Sequence, residues 1–355
     1  MSSYKRIEIA AAFQSFDDIL DVRSPAEYFD DHMPGAINVP VLNDEERVRI
    51  GTLYKQVSPF DAKKLGAALI ANNISQHLQN SFCDKPKSWR PLVYCWRGGM
   101  RSGAMAHILA QIGWHTSQLI GGYKDYRRYV ISAIDSQLAN FKFCVISGST
   151  GSGKSHLLHA LAAHGAQVLD LEALAQHRGS LLGRLPNQQQ PSQKTFETRL
   201  WHTMQTFTPN KLIYIESESR KVGVLSLPTC LVEQMRASIY VRIEVPLSAR
   251  ITFLMADYPH FLASPTLLTE RLTLLIETHG HAVINRWCDM AQTAQWQALV
   301  SELLVQHYDP AYKRSSSLAL KQPNQLKVVQ LDALDSASLN KLAKELIQNE
   351  SMMHD

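Results

Sequence analysis

The stretch Phe141-Lys142-Phe143-Cys144-Val145-Ile146-Ser147-Gly148-Ser149-Thr150-Gly151-Ser152-Gly153-Lys154-Ser155 decides the fold of the larger part of the chain. Up to Ser147 it is a mostly apolar run of strand length, and from Gly148 it satisfies the phosphate-binding loop pattern in full. Apolar spacing then predicts a helix over 155–163. The loop therefore lies between strand and helix, a context that a chance Gly/Ser-rich turn does not meet. Backbone N–H groups of such a loop surround a polyphosphate, Lys154 neutralises terminal phosphate oxygens, and Ser155 can hold Mg²⁺. The pattern reads phosphate and does not by itself specify adenosine.

Further strands are expected at 167–171, 211–215, 238–245 and 327–331, with a polar Gln-rich segment at 186–194 and a final helix to about residue 348. Residues from about 265 to 306 carry helical spacing. The expectation for 138–355 is a P-loop-containing α/β domain with a helical C-terminal portion. Asp170 ends its second strand and Glu216 its third, so either can orient Mg²⁺ or a substrate at the carboxyl edge of the sheet. For Glu216 a solvated strand-end carboxylate is an equal reading. Asp170-Leu171-Glu172 leads into His177-Arg178-Gly179-Ser180, which makes Glu172, His177 and Arg178 candidates for substrate contact. Arg250 reads more simply as a helix-surface arginine than as a lid over phosphates.

Upstream, strands expected at 19–22, 91–94 and 117–120 alternate with helices at 65–78 and 102–112, again the pattern of a parallel α/β sheet. Pro25, Pro34-Gly35 and Pro40 mark loop and turn. Residues 132–140 form a linker or a last helix turn, so the boundary falls near 138 and the first domain covers 1–137. A chain of 355 residues has room for both.

The first domain carries its own constellation, Tyr94-Cys95-Trp96-Arg97-Gly98-Gly99-Met100-Arg101-Ser102. A cysteine ends a strand, a Gly-containing loop follows, then a helix. Loop N–H groups and the helix N-terminus converge on the sulfur while Arg97 and Arg101 add positive charge. Surroundings of this kind lower thiol pKa values to roughly 3.5–7.5, so Cys95 is expected to act as a nucleophile. A core cysteine needs neither the glycines nor the arginines. Cys83, Cys144, Cys230 and Cys288 lack such a loop and default to structural roles. Five scattered cysteines without a CxxC pair exclude a disulfide framework and a structural zinc site.

The net charge of +4 permits an anionic partner, but the surplus is spread evenly along the chain and names no nucleic-acid face. The Tyr126-Arg127-Arg128-Tyr129 cluster suits RNA stacking and an amphipathic helix end equally well. No apolar run approaches the ~18 residues of a membrane span and no secretory leader opens the chain, so a cytoplasmic protein with no membrane partner is expected.

Asp21-Val22-Arg23-Ser24-Pro25-Ala26-Glu27-Tyr28, followed by His32-Met33-Pro34-Gly35-Ala36-Ile37-Asn38-Val39-Pro40 and by the Cys95 loop, resembles the motifs of rhodanese-like domains over about residues 5–130. The resemblance implies that Cys95 carries a chalcogen as a persulfide. Trp96 to Met100 separate Cys95 from Arg101, one residue more than in common single-domain rhodaneses. That wider cradle suits a donor bearing a tetrahedral phosphate, selenophosphate among them; it also leaves a phosphatase reading open.

Together with DLEALAQHRGS, IYIESESRKVG and HYDPAYKRS in the second domain, the loop CWRGGMRS resembles the tRNA 2-selenouridine synthase family across essentially the whole chain. The resemblance implies a transferase acting on tRNA that carries 2-thiouridine at the wobble position. Its co-substrates would be geranyl diphosphate and selenophosphate, with no tightly bound cofactor, and a selenophosphate-producing enzyme is a further partner. Geranylation turns the sulfur at C2 into a thioether that can depart. The diphosphate is expected on the 148–155 loop, and Cys95 would take selenium as a selenopersulfide. Two readings of other kinds stay open: a P-loop kinase or ATPase with a sulfur-transfer module, and a tRNA-binding scaffold without catalysis.

Overall fold

The structure, a computed structural model, describes residues 4–13, 16–180, 182–184, 188–319 and 326–350. It divides into two compact units, Met1–Ile134 with Pro191–His202, and Asp135–Gln190 with Thr203–Asp355.

The first unit is built on five parallel strands, β1 (Lys5–Ile7), β2 (Asp18–Asp21), β3 (Ala36–Asn38), β4 (Pro91–Tyr94) and β5 (Ser117–Leu119), in the order β1-β5-β4-β2-β3. Every residue of β4 is buried, as a central strand covered on both faces requires. Leu20, Val22, Val93, Met105 and Leu109 form the core around it. The proline-punctuated segment is more regular than expected. Pro25 opens the helix Pro25–Asp30, where its missing N–H is no loss, and Ser24 with Glu27 makes a capping box ahead of it. Residues expected as turn also supply β3. The helix Met100–Ile112 stops at Gly113, whose φ of 109° is left-handed, and 132–138 complete the helix Gly122–Leu138.

A single cut at residue 138 does not describe the division between the units. The helix Gln193–Met204 begins inside the segment expected to be merely polar, whose residues 186 and 187 lie outside the described residues. Most of it belongs to the first unit. Trp201 meets Phe13, Tyr126 and Tyr129, and Thr198 donates to Asp31 at 3.0 Å. Arg127, 9% exposed, donates to Thr198 at 3.1 Å and pairs with Glu197. Tyr126 and Arg127 are thus structural rather than RNA-facing, and Arg128 pairs with Asp125 on the surface.

The second unit has parallel strands β6 (Lys142–Ser147), β7 (Gln167–Leu169) and β8 (Leu212–Glu216), then a small antiparallel ribbon of β9 (Lys221–Val222) and β10 (Leu225–Ser226). Strands β11 (Ile239–Glu244) and β12 (Leu326–Gln330) complete the main sheet in the order β12-β11-β6-β8-β7. β7 is shorter than expected because Asp170 turns the chain into the helix Leu171–Ala175, accepting the Ala173 N–H at 2.7 Å as its N-cap. The helical portion comprises Pro265–Leu272, Ile276–Gln292 and Trp296–Glu302, followed by a π-helix at Leu303–Tyr308. Phe261, Leu268, Leu272, Trp287 and Leu299 form its separate core. In each sheet the loop of interest leaves the carboxyl end of an interior strand, β4 between β5 and β2, and β6 between β11 and β8. Chain direction outward from such a strand diverges, which leaves a crevice for a ligand.

Two candidate anion sites

Cys95 follows β4 and is 3% exposed. The loop after it lies directly on the Gly121-Gly122 turn. A Cβ on Gly122 would come within 2.2 Å of the Cys95 carbonyl oxygen, and one on Gly98 within 2.4 Å of the Leu119 carbonyl. Tyr123 N–H donates to the Cys95 carbonyl at 2.8 Å. From β5, Gln118 donates to the carbonyls of Gly98 and Gly99 at 3.0 and 3.2 Å and to the Ser102 hydroxyl at 2.8 Å. Ser102 in turn donates to the Cys95 sulfur at 3.1 Å. A thiolate there has a positioned donor, which favours the charged form of any acid.

The two loop arginines differ. Arg97 is exposed. Arg101 forks onto Glu27, with contacts of 2.6 and 3.3 Å. Burial opposes ionisation of Glu27, but the Arg101 hydrogen bond and charge outweigh it and hold the carboxyl below its usual value. Trp96 lies against Tyr123 and Met100 is exposed. Beside the loop is a cavity of about 710 Å³, lined by Cys95, Arg97 and Arg101 and by Ile50, Tyr54 and Ile70 from the helices Asp44–Gln56 and Pro59–Asn80. The remaining cysteines are free; burial pushes Cys144 up to about 12, and Cys230, which donates to Asp135, likewise.

In the second unit, Thr150, Gly151, Ser152, Gly153, Lys154 and Ser155 wall a cavity of about 260 Å³. Gly148 and Ser149 begin the loop outside that wall. Asp170, Glu172, His177 and Arg178 face the same cavity, so the sequence candidates from three segments converge. Glu216 lies beneath them, 1% exposed. Its Oε1 accepts the Glu172 N–H at 2.8 Å, and its Oε2 has no partner among the described residues. This is a buried carboxylate, not a solvated strand end. Lys154 Nζ donates to the Gly148 carbonyl at 3.0 Å, and Ser155 donates to Glu172 at 2.7 Å.

Burial raises the pKa of Glu172, and raises that of Glu216 well above the ordinary value, with the neighbouring carboxylates adding to it for Glu216. Glu218 is pushed up to about 8 by burial and by the charge of Glu172, against the pull of Lys154. Protonated carboxyls beside Lys154 leave its charge available to an incoming polyanion. Among the described residues no three His, Cys, Asp or Glu side chains are grouped to hold a metal ion. Mg²⁺ is left the mode in which one or two protein oxygens share the ion with substrate phosphate and water; the Ser155 hydroxyl and the Glu172 carboxyl are the oxygens that fit it.

Arg178 pairs with Asp257 at 2.7 Å and lies over the Tyr258 ring at 4.7 Å. His177 is 9% exposed with an unpartnered Nδ1 among the described residues. Burial, then Arg184 and Arg271, lower its pKa and favour the neutral ring. Arg250 corrects the surface reading: it is 6% exposed, its Nε donates to the Thr150 carbonyl at 2.9 Å, and it forks onto Asp309 at 2.6 and 3.1 Å. It fastens the phosphate loop from behind.

Sequence reasoning missed Ser102, Gln118, Glu218 and Asp257. Glu218 had a signal, standing two residues after Glu216 at a strand end where alternate residues share a side. Gln118 and Asp257 had none, because their roles arise from contacts with distant segments.

The chain is 36% identical over 283 residues to a tRNA 2-selenouridine synthase of Nitrosomonas europaea, covering 79% of this chain and 72% of that protein. With the synthase of Aeromonas salmonicida it shares 30% identity over 334 residues, 86% of this chain and 89% of that one. The chain belongs to the tRNA 2-selenouridine synthase family. Residues 141–270 match the tRNA 2-selenouridine synthase AAA domain and residues 7–129 the rhodanese-like domain, so each of the synthase family's two parts carries one of the sites above. Among solved structures, the N-terminal domain of a putative ATP/GTP binding protein from Clostridium difficile 630 is 34% identical over 36% of this chain and 98% of its own, with a TM-score of 0.32.

Proposed function

We propose that this synthase converts 2-thiouridine at the tRNA wobble position to 2-selenouridine in two steps, S-geranylation and then replacement of sulfur by selenium. The observation that carries the proposal is the pairing, in one chain, of a polyphosphate loop beside proton-holding carboxyls and a cysteine whose sulfur receives a hydroxyl donor.

In the first step the sulfur at C2 attacks C1 of geranyl diphosphate. The S–C bond forms, the C–O bond breaks with its electron pair on the diphosphate, and the uracil N3 proton is released. Lys154 and the loop N–H groups stabilise charge as it develops on the leaving diphosphate.

Electron counting decides the target of Cys95 in the second step. If the thiolate took selenium directly from selenophosphate, the P–Se bonding pair would remain on phosphorus and phosphite would leave. Attack on phosphorus instead breaks P–Se with the pair on selenium. Selenide is released, and water hydrolyses the cysteine thiophosphate to free thiol and phosphate. Selenide then adds at C2, the C2–S bond breaks, and geranyl thiolate leaves and takes up a proton. No oxidant is required, and the five-residue spacing from Cys95 to Arg101 suits a phosphoryl group.

The test is the mass of the wobble nucleoside after incubation with thiolated tRNA and geranyl diphosphate, with and without selenophosphate. Geranylthiouridine without the selenium donor and selenouridine with it are expected. No change in either reaction, with tRNA-independent ATP turnover, would return the chain to the ATPase reading.

A further inference from the structure

Against the P-loop cavity lies a second pocket, and the two share Thr150, Leu254 and Tyr258 as walls. Its deeper walls come from the helical core, where Phe261, Leu268, Leu299 and Leu303 are buried. No charged side chain is among its described lining residues. The Tyr308 hydroxyl at its edge is already engaged by Ser180 and by the backbone at Leu182. Leu303, Leu304 and Tyr308 all belong to the π-helix Leu303–Tyr308. Such turns are rare and recur at functional sites, because the wider turn re-aims the side chains around it. Protein cores ordinarily close apolar space with side chains; here apolar space stays open toward an anion site. At the junction, Leu254 leaves no room for a side chain on the loop, since a Cβ on Gly151 would come within 2.8 Å of it.

We propose that this pocket receives the hydrocarbon chain of an allylic diphosphate whose diphosphate rests on the 148–155 loop. The assignment rests on the reading of a prenyl diphosphate as the loop's ligand. A nucleotide base suits the pocket poorly, because its ring edges carry donors and acceptors that these walls would leave unpaired. A branched hydrocarbon has none. Chain length then governs affinity, since each buried methylene is worth about fourfold. Val300, half-buried on the pocket wall, is a position from which a larger side chain fills the space without touching the phosphate loop.

The experiment compares pyrophosphate, dimethylallyl diphosphate and geranyl diphosphate in competition binding to the full chain. Affinity is expected to rise at each step, with geranyl more than about tenfold tighter than dimethylallyl diphosphate. In Val300→Trp the series flattens while pyrophosphate binds as before. Equal affinity for all three in the unmodified chain, with Lys154→Ala abolishing each, would overturn the pocket and leave the loop reading intact. Failure of all three to bind, with ATP binding in their place, would overturn the loop reading and the pocket with it. The chain-length series needs no variant, so the outcome does not depend on whether Val300→Trp folds.

Discussion

The Ser102 hydroxyl donates to the Cys95 sulfur across 3.1 Å, and Gln118 holds that hydroxyl in place by donating to it from β5. The helix that begins at Met100 therefore turns a buried cysteine into one with a fixed partner for negative charge. Ser102→Ala removes the donor while keeping the loop's glycines and arginines. A hydrogen bond to a charged group contributes about 1.5–3 kcal/mol, so selenium incorporation should slow roughly 10- to 100-fold at saturating selenophosphate. Geranylation of the same tRNA should proceed at the unmodified rate. Equal slowing of both steps would show that the loss is structural.

Cys95 and Lys154 serve different steps. Cys95→Ala should block selenouridine formation and let geranylthiouridine accumulate in the presence of selenophosphate. Lys154→Ala should suppress geranylation, yet still convert tRNA supplied already geranylated. Nucleoside masses from the four reactions decide the division, and a folded Lys154→Ala protein that alkylates tRNA normally removes the loop from that step.

Glu218 makes the second site sensitive to pH. Its pKa is raised from the ordinary 4.5 to about 8 in the folded chain, so its protonated form favours the folded state. That contribution is complete below the ordinary carboxylate value and is lost as pH rises through about 8. Both stability and affinity for pyrophosphate should therefore decline between about pH 5 and about pH 9, as a negative charge appears beside Lys154. Glu218→Gln should flatten both profiles. Unchanged pH dependence in that variant would exclude Glu218 as the group responsible.

Arg250 is a positioning residue for the phosphate loop. Arg250→Ala deprives the Thr150 carbonyl of its donor and leaves Asp309 unpaired. Because Asp309 keeps a quarter of its surface in solvent, the expected loss is about 1–3 kcal/mol, short of the full penalty for a buried unpaired charge. Urea unfolding measures it. Pyrophosphate binding should weaken while Cys95-dependent conversion of pre-geranylated tRNA persists.

Both anion loops were legible in the amino-acid sequence because their chemistry lies in consecutive residues. A strand, a run of glycines with a basic or nucleophilic residue, and a helix start are each local, and backbone sterics and N–H direction make them a cradle wherever they occur. The parallel α/β character of both parts followed from the same local alternation. The partners that give the loops their character were not legible. Arg101 meets Glu27 from 74 residues away, Arg250 meets Thr150 from 100, and Glu172 donates to Glu216 from 44. The Gln-rich segment looked merely polar because the apolar side chains of Gln193–Met204 are spaced among charged ones, and only the aromatic surface around Phe13 and Tyr129 explains their burial. Motif chemistry is a property of neighbours along the chain; the charge state of a carboxyl, the partner of an arginine and the side of a helix that is buried depend on strand order, which packing decides.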